Sequence, residues 1–162
     1  MSLIRPIALA LIRDDDRLLV FEAVDRSTGE VFYRPLGGGI EFGETGEEAV
    51  RRELREEIGA TDAWVRYVAT IENIFVYEGR PGHELARLHE VVLADSMFYG
   101  REPWSGIDDG GAIQIVWKPL RDFRDGARLY PDGLLELLDG ADPTPMLVND
   151  DLVRALRLSG QR

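Results

Sequence analysis

The sequence predicts a single α/β sandwich domain spanning residues 1–162, and three observations carry that reading. Short apolar runs bounded by turn residues recur from residue 4 to residue 118 and have the lengths of strands. Among them lies one charged stretch with helical spacing, from Glu47 to Ile58, free of Pro and Gly. A chain of 162 residues, 44% hydrophobic and 30% charged, is long enough for one substantial core. Strands mixed with few helices place the domain in the α/β class.

Taken in order, residues 4–13 (IRPIALALIR) read as a strand, and Asp14-Asp15-Asp16 as the turn that follows it. Residues 17–24 (RLLVFEAV) form a second, largely buried strand. Ser27-Thr28-Gly29 turns the chain into a short strand, Val31 to Arg34, which leads to Gly37, Gly38 and Gly39. These glycines predict a flexible turn, where φ > 0 is cheap and backbone can approach a ligand closely. After the helix, Gly59 stands where a helix stop is needed. Strands are expected at 63–69 and 70–77, a polar loop from Glu78 to Gly82, and a strand at about 86–94. Residues 95–111, punctuated by Gly and Pro, read as loop, and 112–118 (AIQIVWK) as a strand. Pro131 opens a helix through Leu138, and an amphipathic helix runs from about Asn149 to Leu158.

The central helix carries the chemistry. Val50, Leu54 and Ile58 recur at every fourth position and form the stripe that fixes it to a core. Glu53, Glu56 and Glu57 fall within an arc of roughly 100°. Like charges so crowded repel one another, and a helix gains nothing from them unless a cation is present. Oxygen-only, negatively charged clusters suit hard divalent cations, Mg²⁺ or Mn²⁺ in particular. A mixed-charge helix is otherwise a solvated face with i,i+4 pairs, here Glu48 with Arg52 and Arg52 with Glu56. The glycines at a fixed offset, Glu44 between them and the helix, and Gly59 at its end weigh against that plainer reading.

Composition narrows the alternatives. With no cysteine, disulfides, thiolate zinc and iron–sulfur ligation are excluded, and a cytoplasmic location fits. No run approaches the roughly 20 apolar residues of a membrane span. Residues 1–12 are apolar but lack a basic region followed by a small-residue cleavage site, and so read as a strand. The net charge of −11 argues against binding extended nucleic acid, which needs basic surface. A small phosphorylated ligand remains compatible, because a divalent metal can supply the positive charge.

The skeleton from Gly38 to Ala60 is Gly38, five residues, Glu44, seven residues, then Arg52, Glu53, Leu54, any residue, Glu56, Glu57, any residue, Gly59 and Ala60. It resembles the Nudix box, the signature of hydrolases that cleave a nucleoside diphosphate linked to another group. Two features depart from the family pattern: Ala60 fills the closing aliphatic position, and Leu36 intervenes between Pro35 and the glycines. The resemblance implies an α/β/α sandwich with a mixed, curved sheet held between helices and a loop–helix–loop catalytic motif. It further implies that Glu53, Glu56 and Glu57, with the carbonyl of Gly38, hold Mg²⁺ or Mn²⁺. Arg52 fits as the residue that orients Glu44 through a bidentate pair.

The resemblance leaves the general base open between the box residues Glu53 and Glu56 and the later Glu90, Asp108 and Asp109. Arg34 is placed either to meet a substrate phosphate or as a surface strand residue. Tyr77 is placed either to stack a base, as in diadenosine polyphosphate hydrolases, or simply in a strand. His83 and His89 belong to no motif and read as structural. The expected function is metal-dependent hydrolysis of a nucleotide, dinucleoside polyphosphate or nucleotide sugar. The alternative is a Nudix domain that binds such a ligand as a sensor, although such domains typically lose metal carboxylates that this chain retains. A homodimer is compatible with the sequence and is not required by it.

Overall fold

Strand β1 (Arg5–Asp14) lies inside the domain because both of its faces are apolar. Ile7, Leu9 and Leu11 enter one core, and Ala8, Ala10 and Ile12 enter the other. Such a continuous apolar run is typical of a strand covered on both sides. The computed structural model describes residues 3–108 and 110–140. After β1 come β2 (Arg17–Val24), β3 (Val31–Gly39), α1 (Gly46–Ile58), β4 (Ala63–Tyr77) and β5 (Arg80–Leu93). They are followed by a 3₁₀ turn at Ser96–Phe98, then β6 (Trp104–Asp108), β7 (Gly111–Pro119), α2 (Leu120–Arg124), β8 (Arg128–Leu129) and α3 (Leu134–Gly140).

The strands join in the order β4-β5-β1-β3-β2-β7-β6, with β8 beside β3. The β1–β5 and β3–β8 pairs are parallel and the remaining pairs antiparallel, so the sheet is mixed. Ala49, Val50 and Leu54 of α1 pack into one core. Leu120 and Phe123 of α2, with Leu134 and Leu138 of α3, pack into the other. Helices therefore cover the sheet from two sides, the expected α/β/α layering. Among the described residues no helix is long and apolar enough to cross a membrane.

Several elements differ from their expected form. The three glycines do not make a turn: β3 runs through them, pairing Gly39, Gly38 and Gly37 with Ile7, Ala8 and Leu9. Only Gly37 of the three needs a conformation reserved for glycine, with φ of 135°. A Cβ there would lie 2.1 Å from the Ala8 carbonyl oxygen, so the close backbone approach is made to β1. The strands expected at 63–69 and 70–77 are one strand, β4, broken only by a bulge between Tyr67 and Ala69. The loop expected after it is a two-residue turn, Glu78-Gly79, with φ of 48° and 74°. Positive φ at both positions matches the twist of an antiparallel ribbon.

The segment 95–111 is not all loop, since β6 within it pairs with β7. The helix expected from Pro131 begins at Leu134. The helix expected at 149–158 lies outside the described residues.

Candidate active site

Helix α1 starts and stops by local chemistry. The Thr45 hydroxyl accepts from the Glu48 N–H at 3.2 Å, and Glu48 Oε2 accepts from the Thr45 N–H at 2.8 Å. This reciprocal pair satisfies two donors that a helix start leaves unpaired. The Glu48 carboxylate is thus engaged with Thr45, and Arg52 takes other partners. Gly59 ends the helix in the left-handed conformation, with its N–H donating to the Arg55 carbonyl. Val50 and Leu54 are buried, while Ile58 packs partly buried at the core edge.

With that face packed inward, the acidic face of α1 meets the glycine end of β3. Glu57 Oε2 accepts from the Gly37 N–H at 3.0 Å. A Cβ on Gly38 would overlap Glu53 Oε1, so glycine leaves the Glu53 carboxylate free to rest against the strand where any side chain would push it aside. Arg52 ties the parts together. Its Nε donates to Glu44 Oε1 at 2.9 Å, and its Nη2 donates to Glu44 Oε2 at 3.0 Å and to the Gly39 carbonyl at 2.8 Å. Its Nη1 reaches Glu53 Oε1 at 2.8 Å and Glu56 Oε2 at 3.5 Å. The Arg52–Glu44 pair is bidentate, the geometry that the resemblance implies. The bond from Arg52 in turn holds the Glu44 carboxyl below its usual range.

Glu57 is only 3% exposed, and burial pushes its carboxyl up to about 8. Charge from Arg34 and the Gly37 N–H oppose that shift, while the Glu53 and Asp108 carboxylates add to it. Among the described residues no three carboxylate or imidazole groups are gathered for one metal ion. Glu53 is engaged with Arg52, and Glu56 reaches toward solvent, its side chain 54% exposed. The donor chemistry nonetheless fits a hard dication. All donors are oxygen, and the buried Glu57 carboxyl ionises only at a cost that a nearby cation offsets.

Beside this cluster opens a cavity of about 900 Å³, lined by both Arg34 and Tyr77. Arg34 leans over the Phe21 ring, with 5.0 Å from the guanidinium carbon to the ring centroid, and Nη2 donates to the Gly37 carbonyl at 3.3 Å. Its Nε is buried without a hydrogen-bond partner. Tyr77 stands at the end of β4, its ring meeting Phe32 edge-on at 5.7 Å.

Of the later base candidates, Asp108 lies at the end of β6 on the cavity wall and accepts from the Gly110 N–H at 2.7 Å. Asp109 lies outside the described residues. Glu90 is on the wrong side. Along β5, Leu88 enters the core beneath α2 and α3 while Val91 enters the core beneath α1. Alternation puts Glu90 with Leu88, away from the box, where it accepts from Arg66 at 2.5 Å. His83 pairs with Glu72 at 2.7 Å, and His89 is buried under Gly46, both outside the box cluster.

Sequence reasoning passed over three residues of this region. Asp25 is buried, and its Oδ2 accepts from the Glu78 N–H at 3.1 Å, joining the β2–β3 and β4–β5 turns at the cavity. Asn73 and Glu84 are buried in the cavity wall. For Asn73 the available signal was an amide close to Ile71, Ile74 and Phe75, whereas Glu84, after His83 in a polar stretch, carried none.

A family model for the NUDIX domain matches residues 3–137. The chain belongs to the Nudix family, whose members generally use divalent metal ions. It is 28% identical over 142 residues to a protein designated mutator protein MutT4 in Mycobacterium tuberculosis, a match covering 83% of this chain and 54% of that one. It is 45% identical over 56 residues to the nucleoside triphosphatase NudI of Escherichia coli, covering 34% of this chain and 40% of that one. The chain thus spans about half the length of the first relative and less of the second.

Among solved structures, a Nudix hydrolase family member from Chromobacterium violaceum aligns with a TM-score of 0.62 at 19% identity, covering 96% of this chain and 94% of that one. A MutT protein from Methanosarcina mazei aligns with a TM-score of 0.55 at 18% identity, covering 89% and 96%. At such identities the likeness shows the fold.

Proposed function

We propose that this protein is a Mg²⁺- or Mn²⁺-dependent pyrophosphohydrolase acting on a nucleoside diphosphate linked to another group. The observation that carries the reading is the fit of Gly38 against Glu53, where backbone and carboxylate meet in space that any Cβ would fill. In this reading Glu53, Glu56 and Glu57, with the Gly38 carbonyl, hold the metal. When bound, the ion lowers the pKa of a coordinated water and neutralises charge on the diphosphate oxygens.

The chain's own groups do the rest. Arg52 fixes Glu44 and steadies Glu53 against the strand, so the acidic edge is set before substrate arrives. Arg34 lines the cavity and in this reading meets a substrate phosphate. A carboxylate removes the proton of the attacking water: Glu53 or Glu56 within the box, or Asp108 on the cavity wall. Tyr77 offers a ring face to a base. Retention of every box carboxylate favours turnover over a sensor role, and the name of one relative, a nucleoside triphosphatase, agrees with a nucleotide substrate. The cysteine-free chain fits residence in the cytoplasm.

The test is a panel of nucleoside triphosphates, dinucleoside polyphosphates and nucleotide sugars, each with Mg²⁺ or Mn²⁺, read as phosphate released after phosphatase coupling. Metal-dependent release from at least one class, abolished by EDTA, is expected. Full turnover in excess EDTA, or no release from any class, removes the assignment.

A further inference from the structure

The cavity lies between two arms of the sheet. β1 and β2 pair at Arg13 with Leu18 and at Asp14 with Arg17, beside the turn that joins them, and then part. Beyond that seam β3 is shared. Its first half, Val31 to Pro35, follows β2, and its second half, Leu36 to Gly39, follows β1. One arm is therefore β4-β5-β1 and the other β2-β7-β6. Arg5, Ile7 and Phe75 line the cavity from the first arm, and Phe21, Ala23 and Gln114 from the second. The seam closes one end. At the other end the free tips are the Glu78-Gly79 turn of β4–β5 and the β2–β3 turn, residues 25–30.

Asp25 bridges these tips. Its Oδ1 accepts from the Ser27 N–H at 2.8 Å, the Ser27 hydroxyl at 2.5 Å and the Thr28 N–H at 3.3 Å, and so builds its own turn. Its Oδ2 leaves that turn and accepts from the Glu78 N–H at 3.1 Å, across 53 positions of sequence. The residue is 7% exposed. The bonds from Ser27 and Glu78 hold its carboxyl below the usual range, so it is ionised at neutral pH. Hydrogen bonds to an ionised acceptor are stronger than those between neutral groups. The edge-on contact of Phe32 with Tyr77 joins the same two hairpins.

We propose that Asp25 is a positioning residue: by tying the β4–β5 tip to the β2–β3 turn it sets the separation of the two cavity walls, and with it the affinity for a nucleotide held between them. The second part rests on the pyrophosphohydrolase reading, which places the substrate in this cavity. The tie itself is a property of the protein alone. Walls held at a fixed spacing before the ligand arrives lose less freedom on binding. Asp25 stands apart from the box cluster, so loss of the tie should act on KM and spare kcat.

Asp25→Asn separates the tie from the turn. The amide oxygen can still accept from the Ser27 and Thr28 N–H groups, while the NH₂ group then faces the Glu78 N–H, donor against donor. The chain has no cysteine, so spin labels introduced through Glu30→Cys and Arg80→Cys, two exposed positions, report only on the two tips. Pulsed-EPR distances should form one narrow distribution when Asp25 is present and a distribution at least twofold broader with Asp25→Asn. With the substrate that the panel identifies, KM should rise at least fivefold and kcat stay within threefold. Ser27→Ala, which removes a turn bond and leaves the tie, should keep wild-type values in both measurements. An unchanged distribution in folded Asp25→Asn overturns the proposal, as does a broader one with unchanged KM. Equal effects of Ser27→Ala and Asp25→Asn overturn it too, because the turn alone would then set the spacing. A panel without any substrate removes the hydrolase reading, and the distances then still decide the tie. Should Asp25→Asn fail to fold, hydrogen exchange of the wild type takes its place. The Glu78 amide should exchange at least a hundredfold slower than a free turn amide, and exchange at the free rate sinks the proposal.

Discussion

Arg52 grips Glu44 with two parallel hydrogen bonds, 2.9 Å from Nε to Oε1 and 3.0 Å from Nη2 to Oε2. The two residues are eight positions apart, and Glu44 lies before the helix that carries Arg52. The pair therefore clamps the segment leading into α1 onto the helix, while Nη2 also holds the end of β3 through the Gly39 carbonyl. Lysine is a point charge and cannot reproduce this fork. Arg52→Lys should lose at least tenfold in kcat/KM and about 1–3 kcal/mol of stability, the scale of charged hydrogen bonds broken in a half-buried site. Steady-state kinetics and urea melts check it, and wild-type kinetics in the variant would contradict the clamp.

Gly37 and Gly38 are neighbours with different jobs. In Gly37→Ala the new Cβ would meet the Ala8 carbonyl oxygen at 2.1 Å in a backbone with φ of 135°, so the strand itself must shift. A loss of about 1–3 kcal/mol or more is expected, the range for overpacking with added strain at positive φ. In Gly38→Ala the obstacle is the tip of the Glu53 side chain, which can swing away. That variant should keep most of its thermal stability and lose at least tenfold in kcat. Equal stability losses in the two variants would refute the distinction.

Leu54 and Glu56 test which face of α1 is inside. Leu54 is fully buried, and Leu54→Ala should cost about 2–5 kcal/mol through lost transfer energy and a residual cavity. Glu56 reaches toward solvent, with one weak contact to Arg52 at 3.5 Å. Glu56→Gln should change stability by less than about 0.5 kcal/mol in metal-free buffer. Denaturant midpoints for both variants decide it, and the reverse order would mean the helix is turned around.

Much of this arrangement was readable along the chain where one element carries its own signal. The stripe of Val50 and Leu54 and the stop at Gly59 depend on local spacing and appear where that spacing puts them, while the Arg52–Glu44 pair is one that the family resemblance implies. Partner choice across the sheet was not readable in this way. Gly37 to Gly39 look like a turn until β1 is seen to take up their backbone groups. Gly106 makes β6 look like loop, yet a Cβ there would meet the Glu57 carbonyl oxygen at 2.7 Å, so glycine lets the strand pass beside α1. Glu90 loses its candidacy only because alternation turns it from the box.

Glu57 gives the folded, metal-free protein a pH dependence of definite sign. Burial raises its carboxyl from an ordinary value of 4.5 to about 8, so between those limits the folded state holds a proton that the unfolded chain has released. Its contribution to stability is full below the unfolded value and is lost as pH rises through the folded one. In EDTA, the urea midpoint of the wild type should fall between about pH 5 and 8 more steeply than that of Glu57→Gln, which has no proton to lose there. Under the proposed metal reading, Mg²⁺ or Mn²⁺ added at pH 7 should release protons from the wild type in weakly buffered solution and flatten its stability profile. Release from Glu57→Gln should be markedly smaller. Parallel wild-type and variant profiles in EDTA would show that the Glu57 carboxyl ionises normally, and equal proton release on adding metal would remove it from the metal-binding set.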